Sequence, residues 1–131
     1  MKKFALLTVL GLMAACTRVP TSIDENRVYF DFDSAEIKSD SEHEMYRQSL
    51  YMKKNPDKNI VMEGHCDERG STEYNLALGA MRAGNAAHTI MKNGIEPTRI
   101  KTVSYGKERP QFIGTGEDVW QKNRNVTTRV K

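Results

Sequence analysis

The chain has 131 residues, of which 20 are basic and 17 acidic, so its formal net charge is +3. Charges of both signs are interspersed, and the sequence lacks the basic face expected of a nucleic-acid-binding protein. It contains no internal repeat and no enzyme signature such as G-x-S-x-G, H-E-x-x-H or a phosphate-binding loop. The length suits one compact domain. We therefore expect a single domain that is not an enzyme, has no cofactor and binds no nucleic acid.

The N-terminus has the features of an export signal. Two lysines precede an apolar run, residues 4–13, which is too short to remain in a bilayer as a spanning helix and leads through small residues to Cys16. This end resembles the lipobox of bacterial lipoproteins, although Met13 stands where leucine is usual. The resemblance implies a signal peptide at 1–15 and acylation of Cys16, and Thr17 then points to the outer membrane. The alternative is an ordinary cleaved signal with a soluble periplasmic product.

Residues 16–26 are predicted to form the lipidated end and a short tether. The segment is polar and contains Pro20. Ten extended residues reach at most about 35 Å, so the domain must work close to its membrane. If Cys16 is lipidated, Cys66 is the one cysteine left, and the fold has no internal disulfide.

In chain order, the hydrophobic patterning predicts four strands and two helices within a domain at 27–131. The predicted strands are 27–32, 59–65, 99–105 and 125–130, and the helices are about 39–54 and 72–93. Residues 106–124 are predicted to form a loop. Strands separated by helices indicate crossover connections. The fold class is therefore α/β, a two-layer sandwich with a four-stranded mixed sheet in the order βαβα-ββ. Gly79 and Gly84 each cost the second helix about 1 kcal/mol relative to alanine, which predicts a close neighbour at both positions.

Charged side chains follow the first two strands. Asp33 comes after the first strand, Asp67 after the second, and Arg82 lies on the helix that follows. If the two strands run in the same direction, their carboxyl ends share one edge of the sheet, where α/β folds bind ligands. Aspartate can hold an ammonium group and arginine can grip a carboxylate with two hydrogen bonds. The set would suit a zwitterionic amino-acid head. The alternative is an ion pair between Asp67 and Arg82 that fastens the loop.

The tripeptide His65-Cys66-Asp67 does not predict a metal site or a nucleophile. Adjacent strand residues point to opposite sides, and no second cluster completes a set of ligands. Cys66 has no local motif that would supply a base. We expect Cys66 to be a small buried side chain.

Three segments resemble the OmpA-like peptidoglycan-binding domain family: VYFDFDS at 28–34, GHCDERGSTEYNLALGAMRA at 64–83 and VSYGKERP at 103–110. The D-E-R-G and S-Y-G-K-E segments, together with the lipobox, are most similar to its peptidoglycan-associated lipoproteins of the Tol-Pal system. The resemblance covers 27–130. It implies a lipid-anchored outer-membrane protein whose periplasmic domain binds the meso-diaminopimelate residue of the peptidoglycan stem peptide. It also implies a part in envelope integrity and cell division, with TolB and other Tol proteins as partners.

The same resemblance assigns the site residues. Asp67 and Arg82 are its central pair, and their charges alone assign Asp67 to the ammonium side and Arg82 to the carboxylate side. Arg69 matches the loop of these lipoproteins and either contacts the ligand or braces the site. The remaining positions that match the family are Phe32 and Asp33 at the end of the first strand, and Asn75 and Leu78 in the N-x-x-L motif. Three positions depart from the family pattern: Cys66, Met81 and Asn125. The rival interpretation is a lipoprotein that acts as a protein–protein interaction or assembly module without binding the wall.

Overall fold

The computed structural model describes residues 18–131, which form a mixed four-stranded sheet and three α-helices. The strands are β1 (Arg27–Tyr29), β2 (Ile60–His65), β3 (Ile100–Gly106) and β4 (Asn125–Val130), arranged in the order β1-β4-β2-β3. β2 is parallel to β3, and β4 lies antiparallel between β1 and β2. The helices are α1 (Ser39–Lys54), α2 (Thr72–Lys92) and α3 (Glu117–Asn123), with a 3-10 turn at Pro97–Arg99. The predicted α/β class and mixed sheet are confirmed.

The core lies between one face of the sheet and the helices α1 and α2. Its members are apolar side chains of both layers: Val28, Phe30, Met45, Met52, Ile60, Met62, Ala86, Ala87, Ile90 and Val126. Burying one large apolar side chain contributes about 1.5–3 kcal/mol, so this layer stabilises the fold strongly. Within residues 18–131, no helix is both long and apolar enough to cross a membrane.

Helix α2 begins and ends with local signals and lies very close to the sheet. The Ser71 hydroxyl accepts a hydrogen bond from the Tyr74 amide at 3.1 Å, and Gly94 follows the helix with φ of 101°. A Cβ atom at Gly64 would overlap the main-chain oxygen of Gly79, whereas one at Gly84 would have no neighbour within 4 Å. The predicted close neighbour is therefore confirmed at Gly79 and wrong at Gly84.

Two local differences from the predicted elements affect the edge of the sheet. The strand predicted at 27–32 ends at Tyr29, because the chain turns away and Asp33 adopts a left-handed φ of 53°. The region predicted as a loop contains α3, whose seven residues are too few to show a helical hydrophobic period. The early end of β1 and the presence of α3 both place side chains at the edge of the sheet where β1 and β2 end.

Part of the predicted tether packs against the domain. Ile23 is fully buried in the core cluster. The amide of Glu25 donates to the Thr128 carbonyl at 2.8 Å, and the Thr128 amide donates to the Asn26 carbonyl at 2.8 Å. These contacts extend the edge of the sheet beyond β1. The predicted signal peptide and Cys16 lie outside the residues that the structure describes, and their roles stay predictions.

Candidate ligand-binding site

A cavity of about 280 Å³ opens at the edge of the sheet where β1 and β2 end. Both strands are antiparallel to β4, so they run in the same direction and their carboxyl ends meet at this edge. The structure brings all of the sequence-predicted contact residues into the lining of this one cavity: Phe32, Asp33, Asp67, Arg69, Asn75, Leu78 and Arg82. Cys66, Gly70 and Tyr74 complete the lining.

Arg82 is a buried cation held by main-chain oxygens. Its side chain is 1% exposed. Nε donates to the Ser34 carbonyl at 2.8 Å, Nη1 to the His65 carbonyl at 3.0 Å and Nη2 to the Asp31 carbonyl at 3.1 Å. Burial lowers the pKa of this guanidinium, but an arginine stays charged in proteins. In the described part of the chain Arg82 forms no salt bridge, so the alternative of an Asp67–Arg82 ion pair is wrong.

The contacts of Arg82 also limit how it could hold a ligand. A guanidinium has five N–H groups, and Nη1 makes a further contact with the sulfur of Cys66 at 3.5 Å. At most one N–H, on Nη2, is then free to point into the cavity. The expected two-bond grip on a carboxylate is therefore not available from Arg82 in this arrangement. Arg82 therefore contributes to the cavity mainly an unpaired positive charge in a wall of low dielectric constant.

Asp67 is buried and fully hydrogen-bonded. Its Oδ1 accepts from the amide and from Nε of Arg69, both at 3.1 Å. Its Oδ2 accepts from Nη2 of Arg69 at 2.9 Å and from Nη1 of Arg124 at 3.5 Å. Burial opposes ionisation of the carboxyl, but these hydrogen bonds outweigh it and hold the pKa below its ordinary value. A carboxylate offers about four acceptor positions, so every one at Asp67 is in use.

Arg69 lies between two aromatic rings. Its guanidinium carbon is 4.0 Å from the ring centroid of Phe32 and 4.0 Å from that of Trp120. Such cation–π contacts contribute about 0.5–2 kcal/mol each. Hydrogen bonding to Asp67 raises the pKa of Arg69 above its ordinary value. The side chain is therefore oriented by a carboxylate at one end and by ring faces on both sides.

Asn75, Leu78 and Cys66 shape the cavity without carrying charge. The side-chain Nδ2 of Asn75 donates to the carbonyls of Arg69 at 2.7 Å and Ser71 at 3.0 Å, which fixes the loop between β2 and α2. Leu78 is a buried apolar wall. Cys66 is buried as predicted, and desolvation raises the pKa of its thiol. Phe32 and Asp33, by contrast, stand exposed at the rim.

Sequence reasoning missed two residues of this site, Arg124 and Trp120. Arg124 is buried, donates from Nε to the Phe30 carbonyl at 2.9 Å and from Nη2 to Glu117 at 2.7 Å, and contacts Asp67 as well. It directly precedes β4, and the antiparallel pairing of β4 with β1 brings it to the cavity edge. The strand was predicted but its direction was not. Trp120 lies in the helix α3 that the sequence did not reveal.

In the portion of the chain that the structure covers, no three His, Cys, Asp or Glu side chains are grouped so that they could hold a metal ion. The polar side chains that line the cavity are instead Asp33, Asp67, Arg69, Asn75 and Arg82. Arg124 contacts Asp67 from beside the cavity, and main-chain carbonyls hold Arg82. This arrangement suits recognition of a small charged group by ion pairing and shape.

Residues 29–124 match the OmpA family, and the chain belongs to that family. The family is non-enzymatic, so the prediction that the chain is not an enzyme is confirmed. Within the family, the chain is similar to proteins named peptidoglycan-associated lipoprotein. The one from Mesorhizobium japonicum is 40% identical over 125 residues, which are 91% of this chain and 74% of that protein. The one from Agrobacterium fabrum is 38% identical over 125 residues, 91% of this chain and 71% of that protein.

Solved structures agree with this relationship. The crystal structure of the peptidoglycan-associated lipoprotein from Burkholderia pseudomallei has a TM-score of 0.78 and 35% identity, and the match covers 80% of this chain and 89% of that one. The C-terminal domain of Helicobacter pylori MotB has a TM-score of 0.75 at 20% identity, covering 81% of this chain and 84% of that one, and shows the fold alone. The resemblance found in the sequence is confirmed.

Proposed function

We propose that this chain binds peptidoglycan non-covalently, by holding the meso-diaminopimelate residue of a stem peptide in the cavity between β1 and α2. One observation carries the proposal: Asp67 and Arg82 line the same cavity with opposite charges and are not paired with each other. Membership of the OmpA family and the names of the relatives support it. The proposed ligand residues are Asp67, Arg82, Phe32, Asp33, Arg69, Asn75 and Leu78.

The chemistry of diaminopimelate matches the cavity. The far end of its side chain carries both an ammonium and a carboxylate, whereas lysine carries only the ammonium. The negative charge of Asp67 favours the ammonium, and the unpaired charge of Arg82 favours the carboxylate. Leu78 and the ring of Tyr74 supply apolar surface for the methylene chain. A volume of about 280 Å³ has room for one amino-acid head, not for a whole stem peptide.

In this proposal the protein ties the outer membrane to the wall through an acylated Cys16, as part of a Tol-Pal-like system with TolB and other Tol proteins as partners. Because Ile23 is packed into the core, six residues, 17–22, separate Cys16 from the folded unit. Their extended reach is about 20 Å. The tether therefore keeps the domain close to the membrane, and the protein can bind only peptidoglycan that lies within this short distance.

Sedimentation with isolated diaminopimelate-type peptidoglycan tests the proposal. The chain of residues 17–131 is expected to pellet with the wall. Asp67→Asn is expected to bind at least about tenfold more weakly, because a charged hydrogen bond contributes about 1.5–3 kcal/mol. The matched control is Asp57→Asn, an exposed aspartate at the opposite end of β2. Melting curves of both variants separate lost binding from lost folding.

If the unsubstituted chain stays in the supernatant, the protein does not bind the wall. The interaction-module alternative would then account for the fold and the lipid anchor. If Asp57→Asn loses as much wall binding as Asp67→Asn, the loss is caused by the change in net charge and not by a change in the cavity.

A further inference from the structure

We propose that Arg69 occupies the ammonium position at Asp67 in the free protein, and that ligand binding is an exchange of ion pairs. This makes Arg69 the residue that selects a zwitterionic head over a plain ammonium group. The inference rests on the proposed function, because it concerns the selectivity of the same cavity.

The first step is the saturation of Asp67. The side chain of Arg69 supplies two of the hydrogen bonds to this carboxylate, from Nε at 3.1 Å and Nη2 at 2.9 Å. The main-chain amide of Arg69 supplies a third at 3.1 Å, and Arg124 the fourth at 3.5 Å. An incoming ammonium group has no acceptor position left unless one of these donors withdraws. Binding at Asp67 therefore requires displacement, and not simple addition.

The second step is which arginine withdraws. Arg124 is buried and is held in addition by the Phe30 carbonyl at 2.9 Å and by Glu117 at 2.7 Å. The side chain of Arg69 is 32% exposed, and its further contacts are ring faces and a carboxylate oxygen of Glu117 at 3.9 Å. Ring faces have no directional hydrogen bonds to break, so the guanidinium can turn between them. Arg69 is the donor that leaves.

The third step is the charge balance of the exchange. An ammonium group that takes the place of Arg69 leaves this guanidinium without its carboxylate, which costs a charged pair in a partly desolvated site. A ligand with a carboxylate beside its ammonium restores the balance, because the displaced Arg69 pairs with that carboxylate. Arg69 is suited to this, since in the described residues its Nη1 has no hydrogen-bond partner. Arg82 can add only one N–H, so Arg69 supplies the second hydrogen bond.

The test compares two ligands on three variants of the chain 17–131, which contains the whole packed unit. The ligands are a diaminopimelate-containing and a lysine-containing stem peptide. Arg69→Gln removes the charge, Arg69→Lys keeps it without the planar fork, and Arg109→Gln is the control. Like Arg69, Arg109 lies over an aromatic ring, 4.2 Å from the centroid of Tyr105, but Arg109 is exposed and does not line the cavity.

Trp120 is the only tryptophan of the chain, so intrinsic fluorescence reports directly on the departure of Arg69. We expect the diaminopimelate peptide to change the emission of the unsubstituted chain and of Arg109→Gln. We expect the Kd of the lysine peptide to exceed that of the diaminopimelate peptide by more than about tenfold in both. In Arg69→Gln this ratio should fall clearly, because the lysine peptide binds this variant more tightly than it binds the unsubstituted chain, while the charge of Arg82 keeps the ratio above one. Arg69→Lys should be intermediate.

Two results would overturn the exchange. The first is binding to the unsubstituted chain with no change in the emission of Trp120, together with an unchanged Kd ratio between the two peptides in Arg69→Gln. Arg69 would then not move. If Arg69→Gln weakens both ligands equally while it remains folded, Arg69 is an ordinary contact or brace. Failure of the proposed function itself gives a different result, because the unsubstituted chain would then bind neither peptide.

Discussion

Arg82 shows how one side chain can hold a site together and also give it charge. Its three nitrogens join the carbonyls of Asp31 and Ser34, in the segment that follows β1, to the carbonyl of His65 at the end of β2. The guanidinium therefore fixes the distance between the two strand ends that form the cavity. Because of this double role, loss of binding in an Arg82 variant has two physical causes.

We predict that Arg82→Ala lowers the free energy of unfolding by about 3 kcal/mol or more. The buried His65 carbonyl left without its partner costs about 1–3 kcal/mol, and the hydrogen bonds to the part-buried carbonyls of Ser34 and Asp31 are lost as well. Urea denaturation measures the change. Arg109→Ala, at an exposed position, should stay within about 0.5 kcal/mol of the unsubstituted chain. Equal stability of the two variants would show that the carbonyl contacts of Arg82 do not support the fold.

The residues of the cavity were predictable to different degrees. Asp67 and Arg82 stand out in the sequence because an acid follows a strand and a base follows on the next helix. The donors that saturate Asp67 were not predictable, because they depend on side-chain directions across the cavity. Arg124 directly precedes β4, a strand whose antiparallel direction no local pattern encodes. The sequence therefore predicted residues that line one cavity, but not how their charged groups are paired in the free protein.

His65 makes stability depend on pH. The ring is buried on the sheet face opposite the core, 3.7 Å from a Glu63 oxygen and 3.5 Å from Gln111, and within residues 18–131 its Nδ1 has no hydrogen-bond partner. Burial lowers the pKa of His65, and the nearby Arg27 and Arg129 lower it further against the opposing effect of Glu63. The folded chain thus binds this proton less readily than the unfolded chain.

We predict that stability falls as the pH drops below about 6.5, because the unfolded histidine then takes up a proton that the folded one does not. One such proton contributes a slope of at most about 1.4 kcal/mol per pH unit. Urea unfolding between pH 7.5 and about 5 should show the slope, and His65→Gln should flatten it. A slope that persists unchanged in the variant would assign it to another group.

At the scale of elements, the distance between α2 and the sheet decides where the cavity wall stands. Gly64 and Gly79 let the helix backbone contact the end of β2, and Arg82 follows Gly79 by three residues on the same helix. A side chain at either glycine would push the helix outward. The guanidinium would then move away from the carbonyls that it joins.

We predict that Gly64→Ala destabilises the fold by about 1–3 kcal/mol or more, because its methyl group would overlap main-chain atoms of Gly79 that cannot turn aside. Gly84→Ala is the matched control. It lies on α2 with nothing within 4 Å of the added carbon, and alanine favours a helix over glycine by about 1 kcal/mol. Thermal melting should therefore shift in opposite directions. A shift of the same sign would contradict the close packing.

The long elements were predictable and the short ones were not. Helix α2 has a capping serine, a periodic apolar stripe and a terminating glycine, and its bounds differ from the prediction by one residue. Helix α3 has two turns and is preceded by Gly114 and Gly116, which indicate a loop. Its formation depends on tertiary contacts, among them the hydrogen bond from Trp120 to Glu68 at 2.9 Å. Such contacts leave no local pattern.

At the scale of the whole molecule, the order of the strands explains why a small domain can hold a charged cavity. β4 lies between β1 and β2 and runs against both, so two carboxyl ends and one amino end meet at the same edge. Asp33, Asp67 and Arg124 come from those three ends. The segment around Ile23 packs beside β4 and ties the N-terminal end of the described residues to the folded unit.

Calorimetric titration of residues 17–131 with a diaminopimelate-containing stem peptide, and with a lysine-containing one as control, tests the central claim most directly. The account predicts saturable binding of the first peptide and binding at least about tenfold weaker, a difference of about 1.4 kcal/mol, for the second. No binding of either peptide, or equal affinity for both, would contradict the assignment of the cavity to a zwitterionic side-chain head.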